Sequence, residues 1–257
     1  MPTLSEIRAY LDATLDVSAV PDYPNALNGV QFENEGDITH VAAAVDFSTN
    51  AVRAAGDVGA RLLLVHHGMF WSGVQPVTGY RFKVIRELIR RDMAVYSAHL
   101  PLDVHREFGN NALLAKRLGL TPTGGFARFQ AIEIGLRGIS DIPTREVADR
   151  ALALAAEFGG TLVASPFQPD RVTRAWALCT GAGADSATLR EAATLGIDTL
   201  VVGEGPHHTA VEARELGIVV LYAGHYATET LGVRALAASV GERFGIETSF
   251  IDLPTGL

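Results

Sequence analysis

Leu62-Leu63-Leu64-Val65-His66-His67-Gly68 is the stretch on which the rest of the chain turns. Four aliphatic residues running into a glycine read as a buried strand whose C-terminal end opens into a loop. In an open α/β sheet that edge is where ligands collect. Side chains alternate faces along a strand, so neighbouring histidines reach one crevice only if the backbone turns after them, which Gly68 permits. Two imidazoles so placed suit two metal ions, one nitrogen to each. Taken alone, the dipeptide reads better as one satisfied core histidine beside an exposed one. Its meaning depends on what else reaches the same place.

Outward from this strand the pattern alternates between strand and helix. Upstream, Leu4, Ile7, Leu11 and Leu15 have helical spacing with Thr3 or Ser5 as cap, and residues 21–31, with two prolines and Asn28-Gly29, read as loop and turn. Val41 to Val45 reads as a strand ending at Asp46, and Ser48 to Ala55 as a helix. Downstream come a loop from Met69 to Tyr80, a helix through Val84, Ile85, Leu88 and Ile89, and a strand from Met93 to Ala98. His99-Leu100-Pro101-Leu102-Asp103 follows; Pro101 breaks a helix there, separating His99 from Asp103 on any helical face. Asn110 or Asn111 caps the next helix, closed by Gly119. Residues 120–171 change character and read as a linking or inserted segment, with a strand from Ala131 to Leu136, a helix from Thr144 to Phe158 and a strand from Thr161 to Ala164.

Beyond Val172 the opening pattern returns. Strands at Trp176–Cys179, Thr199–Val202 and Val219–Ala223 alternate with helices at Ser186–Leu195 and His207–Leu216. A long helix capped by Thr228 runs to Phe244, and a strand at Phe250–Leu253 closes the sheet. Gly59-Ala60-Arg61-Leu62-Leu63-Leu64-Val65-His66-His67-Gly68 runs parallel to Gly196-Ile197-Asp198-Thr199-Leu200-Val201-Val202-Gly203-Glu204-Gly205. Val95-Tyr96-Ser97-Ala98-His99 likewise matches Leu221-Tyr222-Ala223-Gly224-His225, and Asp103 and Glu229 each lie four residues after the histidine. Such an internal repeat predicts two pseudo-repeated α/β lobes, residues 1–125 and 126–257, each bringing half of a metal site to a shared cleft.

Composition bounds the function classes. A net charge of -8 over 257 residues argues against a general electrostatic grip on nucleic acid, although a local basic groove stays open. Cys179 is the only cysteine, so a disulfide framework and a Cys-rich zinc site are both excluded. Neither a leader-like N-terminus nor a membrane-length apolar run is present, which makes the cytoplasm the expected location and a membrane partner unexpected. Metal sites here must draw on His and carboxylates. At predicted strand ends stand His66, His67, His99, Asp103, Glu204, His207, His208, His225 and Glu229. The set suits Zn, Fe, Mn, Co or Ni, and Glu229 can bridge two ions about 3.5–4 Å apart. Each residue also has a blander reading. Glu229 in a first helical turn is equally explained by the helix dipole, and His207 and His208 at a helix start read as solvated, their role open. His40 and His105 read as surface residues. Gly181-Ala182-Gly183 reads as a turn rather than a phosphate loop. Phe70 and Trp71 offer either a stacking surface or a seal for a core or subunit contact.

Asn28-Gly29-Val30-Gln31, Val65 to Trp71, His99 to Asp103, Gly109-Asn110-Asn111-Ala112 and Gly224 to Glu229 together resemble the Nif-three-like family, over nearly the whole chain and in its short bacterial form. Members of that family are named GTP cyclohydrolase 1 type 2 homologs or dinuclear metal centre hexameric proteins. The resemblance implies two α/β lobes, a cofactor of two divalent metal ions, and assembly into a homohexamer. Its metal pattern falls on His66, His67, Asp103, His225 and Glu229, with His99 in the same motif and Glu204 behind it. Pro206-His207-His208 departs from the acidic or polar stretch expected there. The function implied is a metal-dependent hydrolase of a small-molecule substrate, with His99 and Glu229 as proton-handling catalytic residues. The rival is a non-catalytic protein that stores or delivers metal, or a ring that holds nucleic acid or a protein partner.

Overall fold

A computed structural model describes residues 1–257 and divides them into two compact units, Met1–Leu102 with Gly232–Leu253, and Asp103–Leu231 with Pro254–Leu257. Helix α1 (Leu4–Thr14) opens the first unit through a capping box in which Thr3 and Glu6 satisfy each other's backbone donors. Strands β1 (Gly29–Phe32), β2 (His40–Asp46), β3 (Leu62–His67) and β4 (Ala94–Ser97) then alternate with helices α2 (Thr49–Asp57) and α3 (Gly79–Arg91). The sheet order is β1-β4-β3-β2-β11, where β11 is Glu247–Phe250, and only β1 runs antiparallel to its neighbour. Ala42, Ala44, Leu63, Val65 and Val95 pack on Val52 and Ala55 of α2 and on Val84 and Leu88 of α3. The intervening residues Val41, Ala43, Leu62 and Leu64 are buried as well, which is why these strands read as unbroken apolar runs. The register sets Asp46 opposite His67 and Val65 opposite Ser97, so the C-terminal strand ends share one edge.

The second unit starts at Asp103, the last residue of the single-turn helix α4 (Leu100–Asp103). It continues through α5 (Asn110–Arg117), β5 (Gly124–Phe129), β6 (Ile132–Pro143), α6 (Thr144–Glu157), β7 (Val163–Ala164), β8 (Val172–Cys179), α7 (Ser186–Thr194), β9 (Thr199–Val202), α8 (His207–Glu215) and β10 (Val219–Tyr222). Its sheet order is β5-β6-β8-β9-β10-β7. Alternation decides its two cores. Trp176, Leu178, Val201, Val219 and Leu221 pack with α5 and α6, while Ala177, Cys179, Leu200, Val202 and Val220 pack with α7 and α8. Helix α9 (His225–Phe244) supplies its first two turns to this unit and the remainder to the first. No helix is long and apolar enough to cross a membrane.

The mixed α/β class and the repeat are as expected: β1-β4-β3-β2 and β7-β10-β9-β8 have the same order and the same antiparallel edge. Several boundaries differ. The compact units do not divide at residue 125, because β11 pairs parallel with β2 and returns the last strand to the first sheet. Residues 120–171 are no insert: β6 is hydrogen-bonded to β8 and α6 covers the sheet. β11 is Glu247–Phe250 rather than Phe250–Leu253; backbone pairing recruits this polar edge strand, and no apolar pattern announces it. Gly29 takes a positive φ of 106°, as a turn residue does, but the chain after it forms β1. His40 is buried at 9% exposure with Nε2 2.8 Å from Ser249 Oγ, not at the surface.

Candidate metal centre

In the first unit, β3 delivers His66 and His67 at the strand end, and His99 follows β4. The three rings cluster, with centroids 4.7 Å apart for His66–His67, 4.9 Å for His66–His99 and 5.7 Å for His67–His99. One ring nitrogen from each lies within 4.8 Å of the other two. Each Nδ1 faces an oxygen acceptor: Ala98 O at 2.9 Å for His66, Asp46 Oδ1 at 2.9 Å for His67, and Asp22 Oδ1 at 2.8 Å for His99. Carbonyls and carboxylates only accept, so each Nδ1 carries a proton and Nε2 is the nitrogen through which the ring can ligate. Asp22 is itself fixed, accepting from Leu100 N at 2.9 Å and Asn28 Nδ2 at 2.8 Å, while Asn28 Oδ1 accepts from His99 N at 2.7 Å. Burial by itself raises the Asp22 pKa, but the His99 ring, Asn28 and the Leu100 amide outweigh it and hold the carboxyl below its ordinary value. Trp71 lies over this group, 4.6 Å from the His99 ring and 5.5 Å from His67.

In the second unit, His225 opens α9 and Glu229 lies one turn on, with His225 Nε2 and Glu229 Oε2 3.0 Å apart. Nδ1 of His225 donates to Glu204 Oε1 at 2.8 Å, repeating the arrangement of the other three histidines. Burial lowers the His225 pKa, yet the Glu229 and then the Glu204 carboxylates reverse this and push it up to about 9. Glu229 is 3% exposed. Room for it is made by Gly181, at a φ of +61°, where an added Cβ would overlap the Glu229 carboxylate and come within 3.2 Å of His225 Nε2. Asp103 accepts from Asn110 Nδ2 at 2.8 Å and lies 3.4 Å from Thr180 Oγ1. Cys179 is buried, and burial together with the charges of Asp103 and Glu229 raises its thiol pKa, so it stays protonated.

These observations correct three local readings. Thr228 does not cap α9; its hydroxyl donates to Gly224 O and His225 O and accepts from Gly181 N, inside a helix that begins at His225. Asn110 and Asn111 are not caps but buried first-turn residues, bonded to Asp103 and to Ile134 O. Pro101 sits in the first turn of α4, where its missing N–H costs nothing, so the segment does form a helical turn. His207 and His208 are exposed. Asp22, Asn28, Asn110 and Gly181 are supporting residues that the sequence left among loops, caps and turns; only the acid at the end of β2, Asp46, carried a signal, by standing at a strand terminus.

The donor set fits metal ions: imidazoles whose Nδ1 is already committed to a protein oxygen, buried carboxylates, and no available thiolate. Residues 2–255 match the family model described as Duf34/NIF3 (NGG1p interacting factor 3). A protein of Deinococcus radiodurans named GTP cyclohydrolase 1 type 2 homolog is 40% identical over 254 residues, covering 98% of this chain and 94% of the relative. Among solved structures, protein ybgI, described as of unknown function, superposes with a TM-score of 0.87 at 32% identity, covering 99% of this chain and 100% of that one. TTHA1606 of Thermus thermophilus gives 0.82 at 35% identity, with 98% and 99% covered.

Proposed function

Because this chain belongs to the Duf34/NIF3 family, we propose that it is a metal-dependent hydrolase in which His66, His67, Asp103, His225 and Glu229 hold two divalent ions. The observation that carries this reading is the shared arrangement of the histidines, the Nδ1 of each lying 2.8–2.9 Å from a protein oxygen that fixes the ring. A histidine whose Nδ1 is held in this way is oriented to ligate through Nε2, metal binding displacing any proton there. Divalent ions supply acidified water and polarise an electrophile.

His99 then handles the proton: Asp22 holds its Nδ1–H, which orients the ring and leaves Nε2 as general base. Glu229, buried and carboxylate, is the second proton-handling group as well as a ligand. The name shared by the relatives, GTP cyclohydrolase 1 type 2 homolog, supports hydrolytic opening of a purine ring as the first reaction to examine. Homohexamer formation belongs to the same proposal and is read from light scattering.

Elemental analysis of protein purified without chelator or affinity metal should find two ions per chain. A hydrolase screen spanning nucleotides, phosphoesters and cyclic amides should then find turnover that Glu229→Gln abolishes with assembly retained. Metal-loaded protein that turns over nothing yet passes its metal to an apo-enzyme overturns catalysis in favour of metal delivery.

A further inference from the structure

The second unit carries a cavity of about 370 Å³ that shares only Glu204 with the metal reading. Its volume lies at the lower end of the range for small-molecule sites, roughly 300–1,000 Å³. Phe158, Tyr222 and Tyr226 give it aromatic walls. Phe158 and Tyr226 meet edge to face, with centroids 5.9 Å apart and planes at 73°. The Tyr222 hydroxyl is already 2.9 Å from Thr209 Oγ1, so this residue contributes a ring more than a polar group. Ala210, on the first turns of α8, keeps the space open.

Glu204 lines this cavity, and no lysine or arginine does. Only Oε1 of Glu204 is taken by His225 Nδ1, and a carboxylate offers about four lone-pair sites, so acceptor capacity remains for a ligand. His207, the residue whose presence after Pro206 the sequence left unexplained, also stands on the wall. A phosphate or carboxylate ligand meets the Glu204 carboxylate here and no lysine or arginine. A flat molecule that donates hydrogen bonds meets an acceptor and three aromatic rings.

We propose that this cavity binds a planar N-heterocycle bearing adjacent N–H donors, Glu204 accepting from that edge while Phe158, Tyr222 and Tyr226 enclose the ring. Because Glu204 also fixes His225, the cavity is the recognition pocket for the non-reacting part of the substrate. That second statement rests on the hydrolase reading; the binding itself does not. Binding energy gathered there positions the bond to be broken.

The test uses the metal-free full-length chain, in which no turnover occurs, with isocytosine as the probe and 4-pyrimidinone, which lacks the exocyclic amine, as its control. Calorimetry and saturation-transfer NMR should give a Kd of about 1 mM or tighter for isocytosine, as expected of a fragment this small, and at least about tenfold weaker binding of 4-pyrimidinone. Glu204→Gln should weaken isocytosine by about tenfold or more, the loss expected when a charged acceptor is replaced by a neutral one. Ala210→Phe, which fills the cavity, should abolish binding with an unchanged thermal midpoint. Should that variant misfold, Val163→Phe from the exposed edge strand β7 fills the same space. Absence of isocytosine binding, equal binding of both heterocycles, or binding that survives a folded cavity-filling variant overturns the proposal. An inert metal-loaded protein that still discriminates the two heterocycles removes the hydrolase reading and leaves the pocket standing.

Discussion

The two sheets are built to one plan and end their strands in different chemistry. Where β3 ends in His66-His67, its counterpart β9 runs into Gly203-Glu204. At Gly203 a side chain has no room, since a Cβ would meet Gly181 O at 2.5 Å and His225 Cα at 2.8 Å. The first unit therefore takes two imidazoles from its strand end and borrows an acid, Asp46, from the neighbouring strand. The second takes its imidazole from the start of α9, and the strand end supplies the acid, Glu204. Proposed ligand and supporter have exchanged places on one scaffold. A βαβ repeat fixes where strand ends meet, and the side chain standing at each end decides whether it ligates or holds a ligand.

The largest expected effects come from removing a proposed ligand on either side. His67→Ala and Glu229→Gln should each weaken metal binding by more than about 100-fold, because even outer hydrogen-bond partners cost about 10–100-fold. Chelator competition measures it; unchanged metal affinity in either variant breaks the comparison. Gly181→Ala tests the packing on the second side. A side chain at its φ of +61° against Glu229 should lower stability by about 2–4 kcal/mol, combining left-handed strain with overpacking. A denaturant midpoint equal to that of the natural sequence refutes the close approach.

Asp46→Asn and Glu204→Gln address the exchanged supporters, and each should cost about 10–100-fold in metal affinity. Similar losses sharpen the equivalence of the two acids; a loss confined to one dissolves it. The smallest effect is expected from Asp22→Asn, about 1–2 kcal/mol of folding stability for a weakened buried hydrogen-bond set. Its pH dependence has a definite sign. The folded Asp22 carboxyl lies below its ordinary value of 3.8, so its contribution is complete above that value and is lost as pH falls through the folded one. The stability gap between Asp22→Asn and the natural sequence, measured by urea unfolding, should thus be constant near neutrality and close below about pH 4. A gap that widens in acid contradicts it.

Much of the fold was legible because parallel strands buried on both faces are written as unbroken apolar runs, and Leu62–Val65 and Thr199–Val202 carry that pattern. The candidate ligands were legible because chemistry-bearing side chains stood at the ends of those runs. Polar edges were not: β1 and β11 exist through backbone pairing, which any side chain permits. Nor were the supporters, since Asp22 lies 77 residues from the His99 ring that it holds.

Residue by residue, then, the sequence determined the α/β class, the repeat, and the imidazoles and carboxylates on offer, because periodicity and side-chain type are local properties. Which ring nitrogen of each clustered histidine faces a protein oxygen, why residues 181 and 203 must be glycine, and which sheet receives the last strand were decided only by tertiary structure. Those are facts about distant groups brought within hydrogen-bonding or van der Waals reach, and no local pattern encodes them.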